Sequence, residues 1–163
     1  MERMQIRMAT MNDLDEITSV EAECFPSAEA ASREEFAERI EAYGTHFWLM
    51  CESDRIIAFV DGMVTDENNL TDEMYERADL HNETGAWQMI FGVNTLPGYR
   101  RHGYAEKLLR YAINDARAQD REGLVLTCKE ELIHYYEKFG FRNEGISGSV
   151  HGGVTWYQMR LTF

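Results

Sequence analysis

Apolar and polar positions in the first third of the chain follow the periods of one strand and two helices. The alternation in QIRMAT, residues 5–10, predicts a short strand. Thr10 is the predicted N-cap of a helix that Pro26 ends. The apolar face of that helix consists of Leu14, Ile17, Val20 and Cys24. Ser32 and Glu35 have the spacing of a capping box and predict a second helix. Its apolar face consists of Phe36, Ile40 and Tyr43.

A hairpin and an acidic segment come next. The apolar segments HFWLMCE and RIIAFVDGMV flank the polar pair Ser53-Asp54, which predicts two antiparallel strands joined by a tight turn. The acidic segment over residues 65–85 interrupts the strands and has one predicted helix around residues 71–80.

The second half of the chain alternates between strands and helices. AWQMIFGV and GLVLTC are predicted strands, and the segment between them has helical spacing at Leu108, Leu109, Ala112, Ile113 and Ala116. EELIHYYEKF is a predicted helix that ends near Gly140, and FRNEG and VTWYQMRL are the final predicted strands. This order predicts an α/β fold with a single mixed sheet, in one domain over residues 1–163.

Composition limits the class of protein. Hydrophobic residues make up 44% of the 163 residues, which is enough for one globular core. No apolar run is long enough to span a membrane, and MERMQIRMAT lacks the pattern of a signal peptide. The three cysteines lack metal-ligand spacing, so we expect reduced thiols, a cytoplasmic protein and no metal.

Charge is distributed unevenly along the chain. Residues 1–87 contain 21 acidic and 6 basic residues, a balance of −15, whereas residues 88–163 contain 8 and 10, a balance of +2. This division is explained either by a solvated acidic surface or by two sites, one for an anion and one for a cation. Nucleic acid is a poor candidate partner because there is no basic face to neutralise phosphates.

The densest positive cluster is in GYRRHGYAEKLL, where a strand and a short loop precede a long helix. A helix N-terminus presents unpaired N–H groups and the positive end of its dipole, and both bind anions. Gly103 and Ala105 leave the backbone accessible, and Arg100 and Arg101 add positive charge. The spacing is neither that of a phosphate loop of the GxxxxGK[ST] type nor that of a GxGxxG dinucleotide loop.

These residues carry a resemblance to a known superfamily. Arg100, Gly103 and Ala105 match the pyrophosphate-binding signature Q/R-x-x-G-x-G/A of the GCN5-related N-acetyltransferases (GNAT). The segments VEAECF, RIIAFVDGMVTDENNLTDEMYERADLH and LTCKEELIHYYEKFGF resemble the arylalkylamine N-acetyltransferase branch. The resemblance implies a mixed, mostly antiparallel sheet with splayed central strands flanked by helices. It also implies direct transfer of an acetyl group from acetyl-CoA to an amine.

The resemblance also implies which residues form the site. The backbone near the end of the strand would hold the pantetheine arm, and the loop and first helical turn would hold the pyrophosphate. The residues expected to bind the cofactor are Val93, Asn94, Thr95, Arg100, Arg101, His102, Gly103, Tyr104 and Ala105. Tyr136 would be the general acid for the leaving thiolate, since a phenol with a pKa of about 10 can protonate a thiolate whose conjugate pKa is about 8.5. Tyr135 is expected to be a packing residue.

The general base is left open by the sequence. The two histidines of the nearest branch correspond to Met89 and Phe91, and neither side chain can accept a proton. The base is therefore either another residue or a water relay, and the candidate residues are His46, His81, Glu83 and His151. Cys128 could be a nucleophile, but a buried structural cysteine is favoured because no histidine stands beside it in the sequence.

The leading hypothesis is an acetyl-CoA-dependent N-acetyltransferase for a small cationic amine. The acidic first half of the chain would attract such an acceptor. The alternatives are a protein or peptide N-acetyltransferase and a non-catalytic acyl-CoA sensor that has lost its base. The sequence does not determine whether the chain forms a homodimer.

Overall fold

The structure is a computed structural model that describes residues 4–163. Within these residues the nine strands are β1 (Met4–Met8), β2 (Phe47–Glu52), β3 (Arg55–Asp61), β4 (Val64–Thr65), β5 (Trp87–Ile90), β6 (Gly92–Thr95), β7 (Gly123–Cys128), β8 (Arg142–Ile146) and β9 (Tyr157–Thr162). Within the same residues the five α-helices are α1 (Leu14–Cys24), α2 (Arg33–Tyr43), α3 (Asp72–Glu76), α4 (Tyr104–Ala118) and α5 (Ile133–Glu137).

The strands form two hydrogen-bonded sheets. Within residues 4–163 the first sheet has the order β1-β2-β3-β6 and the second has the order β4-β5-β7-β9-β8. The pairing of β5 with β7 is parallel, and the other pairings are antiparallel. The expected α/β fold with a mixed, mostly antiparallel arrangement is therefore confirmed.

The predicted single sheet is divided because the chain passes between the sheets three times, from β3 to β4, from β5 to β6 and, through α4, from β6 to β7. The predicted strand over residues 86–93 is β5 and β6, which belong to different sheets and separate at Phe91. The predicted strand over residues 55–64 likewise divides into β3 and β4. Hydrogen bonds hold the crossing together: the Phe91 N–H donates to the Asp61 carbonyl over 2.7 Å, and the Met89 N–H donates to the Met63 carbonyl over 2.8 Å. The splay of the central strands is thus confirmed.

Helices pack on the apolar faces of both sheets. The Leu108, Leu109 and Ala112 side chains of α4 are fully buried in one core cluster, whereas α1 and α2 pack in a second cluster. The capping box of α2 is confirmed, since Ser32 Oγ accepts from the Glu35 N–H over 3.2 Å and Glu35 Oε1 accepts from the Ser32 N–H over 2.9 Å. No helix within residues 4–163 is long and apolar enough to cross a membrane.

Gly62 is required where the chain crosses between the sheets. A Cβ atom at this position would lie 1.7 Å from the Met89 carbonyl oxygen, which is backbone and cannot rotate away. We expect Gly62→Ala to lower the free energy of unfolding by about 3 kcal/mol, measured by urea denaturation.

Gly98→Ala is the matched control, because a Cβ there meets no atom within 4 Å. We expect it to change the free energy of unfolding by less than about 0.5 kcal/mol. Equal denaturation midpoints for the two variants would contradict the proposed role of Gly62.

Candidate functional site

A cavity of about 250 Å³ lies where the two sheets separate. Its walls include residues of the strands β3, β5, β6 and β7, of the helices α1, α2, α3 and α5, and of the loops after α1 and between β8 and β9. The apolar lining includes Phe25, Ile90, Phe91, Val93, Leu126 and Trp156. The acidic lining residues are Glu21, Glu29, Glu35 and Asp61, all from the acidic first half of the chain. The cavity is thus an apolar pocket with several carboxylates in its wall.

Three charged side chains that line this cavity are buried together: Glu21, Arg39 and Asp61. Arg39 Nη1 donates to Asp61 Oδ2 over 3.1 Å, and Arg39 Nη2 donates to the Tyr75 carbonyl over 3.1 Å. Glu21 Oε1 accepts from Asn94 Nδ2 over 2.6 Å. The Ala31 N–H donates to the other oxygen of Glu21, Oε2, over 2.9 Å.

Burial shifts the proton affinity of both carboxyl groups. Burial raises the pKa of Asp61 to about 7, because the loss of solvation outweighs the opposing effect of Arg39. Burial also raises the pKa of Glu21, against the hydrogen bonds from the Ala31 N–H and the Asn94 side chain. The cavity therefore contains two carboxyl groups whose pKa values are raised by burial, that of Asp61 to about 7.

The sequence analysis missed this cluster, although it left signals. Glu21 lies four residues after Ile17 and three before Cys24, so it falls on the apolar face of α1. Arg39 lies three residues after Phe36, and Asp61 is the one charged residue within the apolar run IIAFVDGMV. A charged residue at an apolar position is a candidate for a buried functional group.

Tyr136, the expected general acid, is one of the residues that line the cavity between the sheets. Its side chain packs in the core, with a ring-centroid distance of 6.1 Å to Phe141, and the residue is 7% exposed. Burial raises the pKa of Tyr136, so its hydroxyl group stays protonated at neutral pH. Tyr136 therefore carries its proton in this wall of the cavity at neutral pH.

A second cavity of about 330 Å³ lies at the loop before α4. Arg101 has φ +66° and Gly103 has φ +78°, and Gly103 is the N-cap of α4. Backbone N–H groups in such a turn converge on one point and form a concavity suited to an anion. The long helix expected after this cluster is present as α4, and it begins at Tyr104, directly after Gly103.

Seven of the nine residues expected to bind the cofactor line one of the two cavities, and Asn94 and His102 line neither. Those that line the loop cavity are Thr95, Arg100, Arg101, Gly103, Tyr104 and Ala105. Val93 lines the cavity between the sheets. The Asn94 side chain is directed to Glu21 instead, and His102 is exposed, with its ring 5.6 Å from that of Tyr104.

Four other residues line the loop cavity, namely Tyr99, Glu106, Tyr135 and Lys138. Lys138 Nζ lies 2.6 Å from Glu106 Oε1. Tyr135 was expected only to pack, and it does pack against the core, but it also lines this cavity. Arg100 Nε donates to the Thr95 carbonyl over 3.1 Å. The positive groups of Arg100, Arg101 and Lys138 thus surround the concavity.

Three of the four base candidates lie together and line neither of these two cavities. His46 Nε2 is 3.0 Å from both carboxylate oxygens of Glu83, and His81 Nε2 is 2.9 Å from Glu83 Oε1. These ligand atoms lie within 4.8 Å of one another, which is close enough for a metal ion. The Val64 N–H donates to His81 Nδ1, so a neutral His81 carries its proton on Nε2 and donates it to Glu83. Hydrogen bonding therefore accounts for the position of His81.

His151 is the fourth base candidate, and it does line the cavity between the sheets. Its Nε2 lies 2.7 Å from the Glu29 carbonyl, to which it donates, and its ring stacks on Tyr75 at 5.4 Å. The two positions that correspond to histidines in the nearest branch differ: Met89 is buried in a core cluster, and Phe91 lines the cavity.

Cys128 also lines the cavity between the sheets, at the end of β7. Burial raises the pKa of its thiol to about 11, which disfavours the thiolate that a nucleophile needs. The preference for a structural Cys128 is supported by this environment.

Comparison of structures supports the fold assignment. The loading GNATL domain of CurA from Lyngbya majuscula has a TM-score of 0.85 at 17% identity, with 98% of each chain covered. The GphF GNAT-like decarboxylase in complex with isobutyryl-CoA has a TM-score of 0.84 at 21% identity, with 97% of this chain and 98% of that chain covered. At these identities the likeness concerns the fold.

Comparison of sequences identifies the family. Serotonin N-acetyltransferase from Mesocricetus auratus is 27% identical over 126 residues, which are 72% of this chain and 59% of that protein. The chain thus spans less than two thirds of the length of this curated relative. The family model for the acetyltransferase (GNAT) family matches residues 14–141. The chain therefore belongs to the acetyltransferase (GNAT) family.

Proposed function

We propose that the chain is an acetyl-CoA-dependent N-acetyltransferase that moves an acetyl group directly to a primary amine, with a small cationic amine as the acceptor. The observation that carries this proposal is the position of β6 between the two cavities. Val93 lines the cavity between the sheets and Thr95 lines the loop cavity, two residues further along the same strand. A ligand with a phosphate group and an extended arm fits this arrangement.

The residues of β6 and of the loop before α4 would hold acetyl-CoA. β6 ends its sheet, so within residues 4–163 no strand pairs with its second edge. Backbone groups on that edge would pair with the amides of the pantetheine arm, as an added strand would. The N–H groups of residues 101–105 would bind the pyrophosphate, and the Arg100 and Lys138 side chains would add positive charge.

The cavity between the sheets would be the place of acetyl transfer. Acetyl-CoA supplies the acetyl group as a thioester. The N–H at Val93 would donate to the thioester carbonyl oxygen, where negative charge develops. Tyr136 would donate its proton to the departing thiolate, and its buried environment keeps that proton in place at neutral pH. The serotonin N-acetyltransferase relative supports an amine as the acceptor.

A screen for CoA release, run beside calorimetric titration of acetyl-CoA, tests this function. The screen contains cationic amines, polyamines, neutral amines and peptide N-termini. We expect acetyl-CoA to bind and the cationic amines to release CoA fastest. A peptide as the best acceptor would favour a protein N-acetyltransferase, and binding without release by any acceptor would favour a sensor.

The charge of the cavity predicts a dependence on salt. The acidic lining residues would raise the local concentration of a cationic amine, and salt would reduce this effect as the Debye length falls from about 10 Å at 0.1 M to about 3 Å at 1 M. We expect kcat/KM for a cationic amine to fall about 10-fold over this range, measured at saturating acetyl-CoA. An amine that is uncharged at the assay pH is the control, and an equal response of the two amines to salt would contradict the prediction.

A further inference from the structure

Asp61 lies at the point where the two sheets separate, beside the place of the proposed transfer. Its Cα is in register with that of Gly92 across the β3–β6 pair, and its carbonyl accepts from the Phe91 N–H. A Cβ built on Gly92 would lie 3.3 Å from Asp61 Oδ1, so the carboxylate stands against the first residue of β6. Val93 is the next residue along that strand. A side chain at Gly92 would enter the space beside Asp61 Oδ1 and would also meet Asn94 Oδ1, 2.9 Å from the Cβ position.

One oxygen of Asp61 is fixed and the other is open to the cavity. Oδ2 accepts from Arg39 Nη1, whereas Oδ1 has no hydrogen-bond donor among residues 4–163. Arg39 is itself held in place, since its guanidinium lies 5.1 Å from the ring centres of both Phe36 and Phe91. Asp61 is therefore a rigid carboxylate with one free acceptor atom in the wall of the cavity.

The other titratable groups of the cavity are less suited to accept a proton. Both oxygens of Glu21 accept hydrogen bonds, from Asn94 and from the Ala31 N–H, and they tie α1 to β6 and to the loop after α1. His151 is positioned from two sides, since its Nε2 donates to the Glu29 carbonyl and its ring stacks on Tyr75, so a proton would have to be accepted at Nδ1. Glu29 forms an ion pair with Lys129, so Asp61 is the buried carboxylate of the cavity that keeps one oxygen without a hydrogen-bond donor or a lysine partner.

We propose that Asp61 is the general base of the reaction, an inference that rests on the proposed function. Asp61 Oδ1 takes a proton from the ammonium group of the acceptor, and the freed lone pair of the nitrogen forms the N–C bond to the acetyl carbon. The C–S bond breaks, and the thiolate takes the proton of Tyr136. The second proton of the nitrogen passes to the Tyr136 phenolate, and the proton on Asp61 returns to water. Asp61, on the neighbouring strand β3, thus takes the role of the two histidines of the nearest branch. In this chain the positions of those histidines are occupied by Met89 and Phe91.

The charges that face Asp61 suit this role. Arg39 of α2 stabilises the carboxylate, whereas Glu21 of α1 and the burial of the group favour its protonated form. The resulting pKa of about 7 lets the group accept a proton near neutral pH and then release it to water. Because the base works only when it is ionised, the rate is expected to rise with pH through about 7 and then to level off.

Asp61→Asn tests the proposal, because it keeps the size of the side chain and removes the base. We expect kcat at pH 7.5 to fall about 100-fold or more with an amine of pKa near 10. The loss should shrink to less than about 10-fold at pH 10, because about half of the amine is then already uncharged and needs no base to remove its proton. Acetyl-CoA affinity of the variant, measured by calorimetry, should stay within a few-fold of the original.

Glu21→Gln is the matched comparison, since it neutralises the other buried carboxylate of the cavity. Whatever its rate, we expect it to retain the rise of kcat with pH that Asp61→Asn loses. If Asp61→Asn does not fold, the kcat profile of the unaltered protein still decides, because a rate without a rise between pH 6 and 8 overturns the proposal.

Four results would overturn the role of Asp61. Three concern Asp61→Asn: a kcat equal to that of the unaltered protein, a loss of kcat of equal size at all pH values, or a loss of acetyl-CoA affinity. The fourth is that the rise of kcat with pH disappears in Glu21→Gln and not in Asp61→Asn. Failure of the proposed function has a different signature: the unaltered protein would then bind no acetyl-CoA, or release no CoA with any amine, and both proposals would be overturned.

Discussion

Gly103→Glu is expected to lower the affinity for acetyl-CoA by about 1,000-fold or more, which calorimetry would record as loss of measurable binding. The new carboxylate would occupy the place of the proposed pyrophosphate at the N-terminus of α4 and repel its charge. The Cβ atom would also keep phosphate oxygens away from the backbone N–H groups. Within the free protein that Cβ meets no atom within 4 Å, so the effect falls on the ligand rather than on packing.

Gly145→Glu separates the effect on the ligand from backbone strain. Gly145 also has a positive φ and open surroundings, and it lies in β8, outside both proposed ligand cavities. Both variants therefore pay a similar conformational cost of about 1–2 kcal/mol and gain the same charge. Only Gly103→Glu should lose acetyl-CoA. Binding that is unchanged in a folded Gly103→Glu variant would remove the basis of the proposed cofactor site.

Tyr136→Phe is expected to lower kcat about 100-fold or more and to leave acetyl-CoA affinity within a few-fold. The phenylalanine keeps the aromatic packing with Phe139 and Phe141 but cannot protonate the thiolate. No hydrogen bond to the Tyr136 hydroxyl is present within residues 4–163, so the substitution should not disturb a network. Initial rates of CoA release with the best acceptor, at saturating concentrations of both substrates, measure the effect.

Tyr43→Phe is the matched control for this variant. Tyr43 is also a buried tyrosine, it lines neither proposed ligand cavity, and its hydroxyl has no hydrogen-bond partner among the residues described. We expect its kcat to stay within about 2-fold of the original. If Tyr136→Phe turns over as fast as Tyr43→Phe, the thiolate leaves without a proton from Tyr136, and the residue serves packing alone.

Local patterns in the sequence were sufficient for the elements and for the family. The spacing of Leu108, Leu109 and Ala112 predicted the buried face of α4, and the Ser32–Glu35 pair predicted the start of α2, because such signals act over one or two helical turns. The signature at Arg100, Gly103 and Ala105 is equally local, since a loop and one helical turn form it. The part of the loop cavity between Thr95 and Ala105 was for this reason predictable from a dozen consecutive residues, whereas Tyr135 and Lys138 reach it only through the fold.

The separation of the sheets was not visible in local patterns. AWQMIFGV is predicted as one strand, and nothing in its period shows that Trp87–Ile90 pairs in one sheet and Gly92–Thr95 in the other. That division depends on which strands are available as neighbours, with β3 on one side and β7 on the other. Strand pairing over long sequence distances decides it, and periodicity within a strand carries no information about its partner.

The general base shows the same limit in chemical terms. The sequence analysis looked for a base among histidines and a glutamate, and three of those four candidates lie together and line neither of the two proposed ligand cavities. Glu21, Arg39 and Asp61 come from α1, α2 and β3, and only the packed structure brings them to one wall and removes them from water. A pKa depends on solvation and on charges nearby in space, so an aspartate in a sequence has an ordinary pKa until the fold has buried it. The sequence by itself determined the elements, the family signature and the acidic first half, whereas the tertiary structure decided which of its many carboxylates can exchange a proton at neutral pH.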